Sequence, residues 1–506
     1  MSELVVKKSS KLGAKVWICI ILFGFMGQLA WMVENMYFSN YIQNQITDNP
    51  WATSATVAAS AVVAALVTIF GGVLSDRLGK RRVFISWGYI AWGVVTASFA
   101  FFEVSSFAKL NVVVAVTVFV IMDCVMTVFG SMSNDAAFSS WVTDVTDITN
   151  RGFVDIILSI IPVAALMVIF VGFGWMVDPN REHPMWVLFY VILGGMTAIS
   201  GVLGLFLLKD SPKLKPDKSG KYMAEVVYGF RPKNVKKHKM IYICLIGMML
   251  SGLAMQLWQP YMIMILQYTL GFGDGFVWPL AAVILLSAVM AVVGGKVMDK
   301  FGKDKFFYPV AAAGVVGGLL VYLIKFVNNN MAMVYVLFII GGTLVESASL
   351  LAAGLFNATA RDYTPAEKAG CFQGVRIIIF VTLPMLIASI FCPLIINGFG
   401  PVVKQFDIAP GKGYFPIPKN SGYALPVIDP TTGKTISESH VYPFELFLFA
   451  AIVAALMFIP TYFVHKENKK FRAEKLREIH AEIKGDAQAE METVTPTEHE
   501  QTDTQE

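Results

Sequence analysis

The sequence predicts an all-α membrane protein whose twelve transmembrane helices form two pseudo-symmetric six-helix halves. Three observations predict it: a composition too apolar for a soluble chain, twelve apolar runs of bilayer length, and a pair of motifs that recurs about 220 residues later. Of 506 residues, 56% are hydrophobic and only 15% charged, with mean hydropathy +0.61. A soluble domain carries about 25% charged residues, so this chain lacks the polar surface that several soluble domains need. Net charge of +4 is too small to suggest a nucleic-acid partner. The five cysteines (Cys19, Cys124, Cys244, Cys371, Cys392) sit in apolar runs and read as small buried residues, not bridges or metal ligands. No metal and no cofactor is expected.

A bilayer core takes roughly 20 apolar residues per helix. Such runs lie near 15–41, 51–74, 83–102, 111–141, 153–177, 184–208, 240–267, 276–298, 306–327, 331–358, 372–397 and 442–464, numbered here as helices 1 to 12. Backbone polar groups must be satisfied inside lipid, so each run is a helix or a barrel strand. Barrel strands alternate over about ten residues; these runs are long and continuous, which selects helices.

Basic residues orient the chain. With the N-terminus in the cytoplasm, 32 of the 40 Lys and Arg fall on the cytoplasmic side, seven on the outer side, and Arg376 within a span. Both termini are therefore expected inside a cytoplasmic membrane, with no cleavable signal. Lys296 and Lys325 at span ends are expected to snorkel. The expected organisation is an N-terminal half over 1–208, a basic linker over 209–239, a C-terminal half over 240–464 and a mostly disordered tail over 465–506. The linker carries a short helical pattern, Lys221 to Phe230. Within 240–464, the long outer loop 398–441 suggests a strand from Tyr423 and a turn over Asp429 to Lys434.

The internal repeat is the most informative pattern. After helix 2 comes Gly72-Val-Leu-Ser-Asp76-Arg77-Leu-Gly79-Lys80-Arg81; after helix 8 comes Gly295-Lys-Val-Met-Asp299-Lys300-Phe-Gly302-Lys303. Both read Gly-x-x-x-Asp-basic-x-Gly-Lys. A second pair, Thr143-Asp144 to Arg151-Gly152 after helix 4 and Arg361-Asp362 to Gly370 after helix 10, follows in the same order. Glycine lets two helices approach closely, and an Asp at a helix end can accept from a neighbouring helix's N-terminal N–H groups. These elements read as a latch made in one conformation and broken in another.

The two signature loops resemble those of the major facilitator superfamily, and the twelve spans, duplicated halves and middle loop fit it along nearly the whole chain. The resemblance implies alternating access around a central cavity formed by helices 1, 4, 7 and 10. A narrower resemblance follows. Gly27-Gln-Leu-Ala-Trp31-Met-Val-Glu34-Asn35-Met-Tyr37 in helix 1 looks like the first helix of sucrose/proton-type carriers. Asp135-Ala-Ala-Phe138, then Thr146 and Arg151, is similar to melibiose-type glycoside–cation symporters. Together they suggest the glycoside–pentoside–hexuronide symporter group. Sodium-coupled members carry acids within helix 2; here 51–74 has none before Asp76, which favours protons over sodium as the coupling cation.

An ionisable group in a span costs at least about 2.5–3.5 kcal/mol on insertion scales, so it faces a cavity or a partner. Glu34, Asp123, Asp135, Glu346 and Arg376 are the candidates. Asp135 and Arg376 both fall in the inner half-membrane and are expected to be able to pair across the halves, with Asp155 a second partner for Arg376. A desolvated carboxyl holds a proton more readily than one in water, and its charge state then decides whether the halves close over it. Trp31, Asn35 and Tyr37 on helix 1, and Gln256, Trp258, Gln259 and Tyr261 on helix 7, offer the stacking faces and hydrogen bonds of a sugar site. Pro260 should kink helix 7.

The expected function is a secondary active transporter of a small polar solute, a sugar or glycoside by resemblance, coupled to protons and working as a monomer in the bilayer. A lysolipid carrier, a proton-driven exporter of apolar compounds and a receptor-like sensor are the alternatives. No Gly-x-x-x-x-Gly-Lys-Ser/Thr and no His-Glu-x-x-His occurs, and the six His lie outside the spans, so neither a nucleotide-driven pump nor an intramembrane enzyme is expected.

Overall fold

In this computed structural model the described residues are 12–47, 49–104, 111–146, 151–177, 185–210, 229–327, 330–364, 372, 375–399, 402–406, 435–440 and 442–467. Eleven helices among them are long and apolar enough to cross a bilayer: α1 (Ala14–Tyr41), α2 (Pro50–Gly72), α3 (Arg81–Phe101), α4 (Val112–Val145), α6 (Trp186–Leu207), α7 (Lys239–Gln267), α8 (Val277–Met298), α9 (Lys303–Val327), α10 (Met331–Ala360), α11 (Val375–Phe399) and α12 (Glu445–Glu467). The twelfth, α5, has a shorter apolar part, Ile161–Val177, within a helix that begins at Arg151. The expected twelve-helix architecture is found.

Local sequence explains several boundaries. Asn49 caps α2 by accepting from the Trp51 N–H at 3.0 Å, with Pro50 at the first helical position. Asn111 caps α4 through the Val113 N–H at 2.9 Å. The helix that contains α2 runs on to Leu78 and stops at Gly79, whose φ of 60° is open to glycine at little cost; Gly302 closes the repeat-equivalent loop with φ of 87°.

Helix packing follows a two-fold pattern. Contacts of α1 with α5 and α6 are matched by α7 with α11 and α12; α2 with α4 by α8 with α10; and α3 with α6 by α9 with α12. Across the halves, α2 meets α11 and α5 meets α8. The α3–α6 contact is close because Gly93 and Gly194 face each other: a Cβ on either would run into the partner's backbone. At the matching α9–α12 contact a Cβ on Gly318 would lie 2.9 Å from Ala451. Without a hydrophobic drive between helices in lipid, such backbone approach supplies the packing.

The outside confirms the solvent. Trp87, Phe101, Phe206 and Trp278 are all well exposed, which in water would form large apolar patches. At the face away from the signature loops, Val402–Phe406 and Thr435–His440 pair as an antiparallel ribbon, with Val402 opposite His440. The strand and turn expected over 423–434, the tail beyond 467 and most of the linker helix expected at 221–230 lie outside the described residues. Lys325 does not simply snorkel: it donates to Glu445 at 2.5 Å, tying α9 to α12.

Candidate functional site

Three acids gather inside the N-terminal half. Asp123 on α4 is completely buried, and neither carboxyl oxygen has a hydrogen-bond partner. Glu34 sits on a π-helical turn of α1, Val33–Tyr37; such turns are frequent at functional sites. Its Oε1 accepts from Thr127 Oγ1 at 3.2 Å, while Oε2 is buried without a partner. Ser60 of α2 stands beside both carboxyls. Asp135, on a second π-helical segment, Ser131–Phe138, is electrostatically linked to Glu34. Asn134 Nδ2 donates to it at 3.3 Å, and Ser131 and Trp31 also face it. No basic side chain contributes to the surroundings of any of the three among the described residues.

The spacing behind this cluster is regular. Asp123, Thr127, Ser131 and Asp135 recur every fourth residue and so make one polar stripe along α4. Helix 1 supplies Trp31 and Glu34 to the same region. Trp31 packs against Trp92 of α3 with ring centroids 4.9 Å apart. The Tyr89 hydroxyl lies 2.7 Å from Phe23 O and 2.9 Å from Asn134 Oδ1, and the Asn134 nitrogen faces Asp135.

Other expected residues are placed differently. Asn35 spends its amide on its own helix, donating to Trp31 O at 2.8 Å. Tyr37 is buried against Phe170 and Phe189, one turn beyond Glu34. Arg376 does not pair with Asp135; it donates to Asn357 Oδ1 at 2.9 Å, within its own half. The Asp155 side chain lies outside the description. Glu346 is half-buried on α10 and has no hydrogen-bond partner among the described residues. Trp258 packs on Phe447 and lines a cavity of about 20 Å³ enclosed by α7, α9, α10 and α12. It is therefore a packing residue of the C-terminal half in this arrangement, and its indole N–H is unpartnered.

Pro260 breaks α7 as expected: the α-helix ends at Gln256 and a 3₁₀ turn spans Gln259–Tyr261. The break swings Tyr261 across the halves. Its hydroxyl lies 3.0 Å from Ser54 Oγ and donates to Pro50 O at 3.2 Å, both on the opposite half. Gln256 and Cys392 line the small space below it. Tyr442, whose ring packs at a tilt against Tyr261, donates to Gln43 Oε1. Tyr261 thus bonds the opposite half, and the halves are joined by these bonds on the face away from the signature loops.

On the signature-loop face each half carries an ion pair at the place of the expected latch. Arg81, nearly buried, donates to Asp144 at 3.3 Å and to Ser75 Oγ. Lys303 pairs with Asp362 in the second half. Asp144 and Asp362 occupy matching repeat positions, so the ion pair joins the two recurring motifs within a half. Gly72 and Arg77 lie in the last turns of the helix that ends at Leu78, Gly295 and Lys300 in those of the helix that ends at Phe301, and Lys80 in the connection that follows the first; Arg77, Lys80 and Lys300 are exposed. The side chains of Asp76, Asp299 and Arg151 fall outside the description. Spacing concealed Tyr89, Ser60 and Ser54, because each acts through a neighbour on another helix, and Asn134, because its orientation depends on Tyr89 of α3; the Thr127 and Ser131 positions were readable from the four-residue period.

A family model described as Major Facilitator Superfamily matches residues 16–389. The chain belongs to the Major Facilitator Superfamily. Comparison with curated proteins finds no match. Among solved structures, this superfamily member is similar to a bacterial homolog of the human lysosomal transporter Spinster, inward-facing and unoccupied, with TM-score 0.62, 13% identity and coverage of 90% of this chain and 98% of that one. It is also similar to the nucleoside transporter NupG, with TM-score 0.58, 11% identity and coverage of 90% and 98%. A D-xylose-proton symporter gives TM-score 0.55, 13% identity and coverage of 75% and 89%. At these identities the likeness concerns the fold.

Proposed function

We propose that this superfamily member is a proton-coupled symporter of a small polar solute, a sugar or glycoside, working by alternating access in the cytoplasmic membrane with both termini inside. One observation carries the reading: Asp123, Glu34 and Asp135 cluster in the N-terminal half with no basic partner among the described residues. Uncompensated buried carboxylates cost several kcal/mol each, so the cluster needs a cation from outside the protein. We favour a proton over sodium because the acids that sodium-coupled carriers of the resembled group bear in helix 2 do not occur here before Asp76. Protonation of Glu34 and Asp123 then removes the charge that opposes closure. Asp135, flanked by Trp31 and Asn134, holds the solute's hydroxyls, with the Trp31–Trp92 pair as the apolar surface beneath a sugar ring.

Alternating access supplies the remainder. With Tyr261, Ser54 and Pro50 joined, one face is closed; the Arg81–Asp144 and Lys303–Asp362 latches act within the halves at the other. The test is uptake of labelled disaccharides, pentosides and hexuronides into proteoliposomes under an imposed proton gradient, then under sodium. Accumulation of a glycoside that collapses with a protonophore is the expected result. Silence across the panel with folded, oriented protein refutes the solute class, and accumulation driven by sodium alone refutes the proton.

A further inference from the structure

A second cavity, of about 300 Å³, opens where the halves meet at α5 and α8. Tyr37 and Asn40 of α1, Phe170, Gly174 and Trp175 of α5, Gln267 of α7 and Phe276 and Trp278 around the start of α8 all line it. Every one of these positions lies at the end of its span away from the signature loops, which places the cavity at headgroup depth. Three of the contributing helices turn π-helical there, over Val33–Tyr37, Val168–Phe173 and Ile265–Thr269.

The lining has a definite chemistry. Among the described residues no charged side chain contributes to it. Two buried polar atoms, the Tyr37 hydroxyl and Gln267 Oε1, have no partner among the described residues, although their side chains are 2% and 6% exposed. A buried polar group without a partner forfeits its hydrogen bonds to water, so each calls for a ligand group. Gln267 Oε1 accepts only; the ligand must donate to it. At the rim Trp175 and Trp278 are 49% and 73% exposed, as amphipathic indoles are at a membrane interface. The room is kept by Gly174: a Cβ there would lie 3.2 Å from the Tyr37 hydroxyl.

We infer that this seam cavity binds the uncharged, hydroxyl-bearing head of an amphiphile from the adjacent leaflet, with its chain leaving between Trp175 and Trp278. A phosphate or ammonium head is disfavoured, because nothing in the lining among the described residues would compensate its charge. The site lies outside the acidic cluster and does not rest on the sugar reading.

The probe is 1-monoacylglycerol with a dibrominated chain, titrated into protein in phosphatidylcholine nanodiscs while tryptophan fluorescence is read. Dibrominated phosphatidylcholine at equal mole fraction and free glycerol are the comparisons. The expected result is saturable quenching beyond that of phosphatidylcholine, absent when Trp175 and Trp278 are both replaced by Phe, and unaffected by free glycerol. Gln267→Leu should weaken half-saturation about fivefold, the value of one neutral hydrogen bond, and Gly174→Leu should abolish it by filling the cavity. Should Gly174→Leu fail to fold, Gln267→Leu decides. Quenching no greater than that of phosphatidylcholine, displacement by glycerol, or wild-type half-saturation in Gln267→Leu overturns the inference.

Discussion

Replacing Tyr261 by Phe should open the closed face of the protein. The hydroxyl of Tyr261 makes two contacts with the opposite half, to Ser54 Oγ at 3.0 Å and Pro50 O at 3.2 Å, in a setting where Tyr261 is 1% exposed. A net hydrogen bond contributes about 0.5–1.5 kcal/mol, so the pair favours the closed arrangement by about 1–3 kcal/mol. While that arrangement dominates, the open population should rise about 5- to 150-fold in Tyr261→Phe. A native reporter lies directly beneath: Cys392 is fully buried in the same small space and donates to Leu257 O at 3.1 Å. With the other four cysteines replaced by Ala, labelling of Cys392 by a membrane-impermeant maleimide should accelerate by the same factor. Thr269→Val is the control, since Thr269 bonds Tyr442 O within its own half at that face. Unchanged labelling in Tyr261→Phe, or an equal rise in Thr269→Val, would refute the assignment of Tyr261 as the gate.

The acidic cluster and the packing make further predictions. Glu34→Gln and Asp123→Asn should abolish uphill accumulation while solute exchange survives, because the neutral side chains mimic the protonated state; retention of full uphill uptake in both variants counts against coupling there. Arg81→Ala should destabilise by about 1.5–3 kcal/mol, since it removes a charged donor from Asp144 and Ser75 in a nearly buried setting, whereas Lys303→Ala, at an exposed pair, should cost under about 1 kcal/mol; urea or thermal midpoints of the purified protein separate the two. Gly93→Val should prevent a monodisperse protein from forming, as its side chain meets the Gly194 and Ala198 backbone, and size-exclusion profiles would show it.

Twelve spans, the basic asymmetry and the repeated loops were legible in the chain because bilayer thickness, charge and duplication each leave a one-dimensional trace. The acids Glu34, Asp123 and Asp135 stood out for the same reason: any ionisable residue in an apolar run is conspicuous. Their grouping was only half legible. The four-residue stripe on α4 is periodic, but the approach of Glu34 and Ser60 depends on how α1 and α2 rotate against α4, and rotation is set by close packing between helices. Arg376 shows the converse. Its depth suited Asp135, yet Asn357, 19 residues earlier, takes its guanidinium.

Sequence by itself determined that this is a membrane protein of duplicated six-helix halves and which charges its membrane core must accommodate, since hydrophobic length and the cost of burying charge act on each segment separately. Tertiary structure alone decided that Tyr261 bonds the opposite half, that Trp258 packs inside its own half, that ion pairs run from Arg81 to Asp144 and from Lys303 to Asp362, and that a cavity survives between α5 and α8. Each of these depends on distances between helices far apart in the chain, and those distances follow from which small residues let two backbones meet.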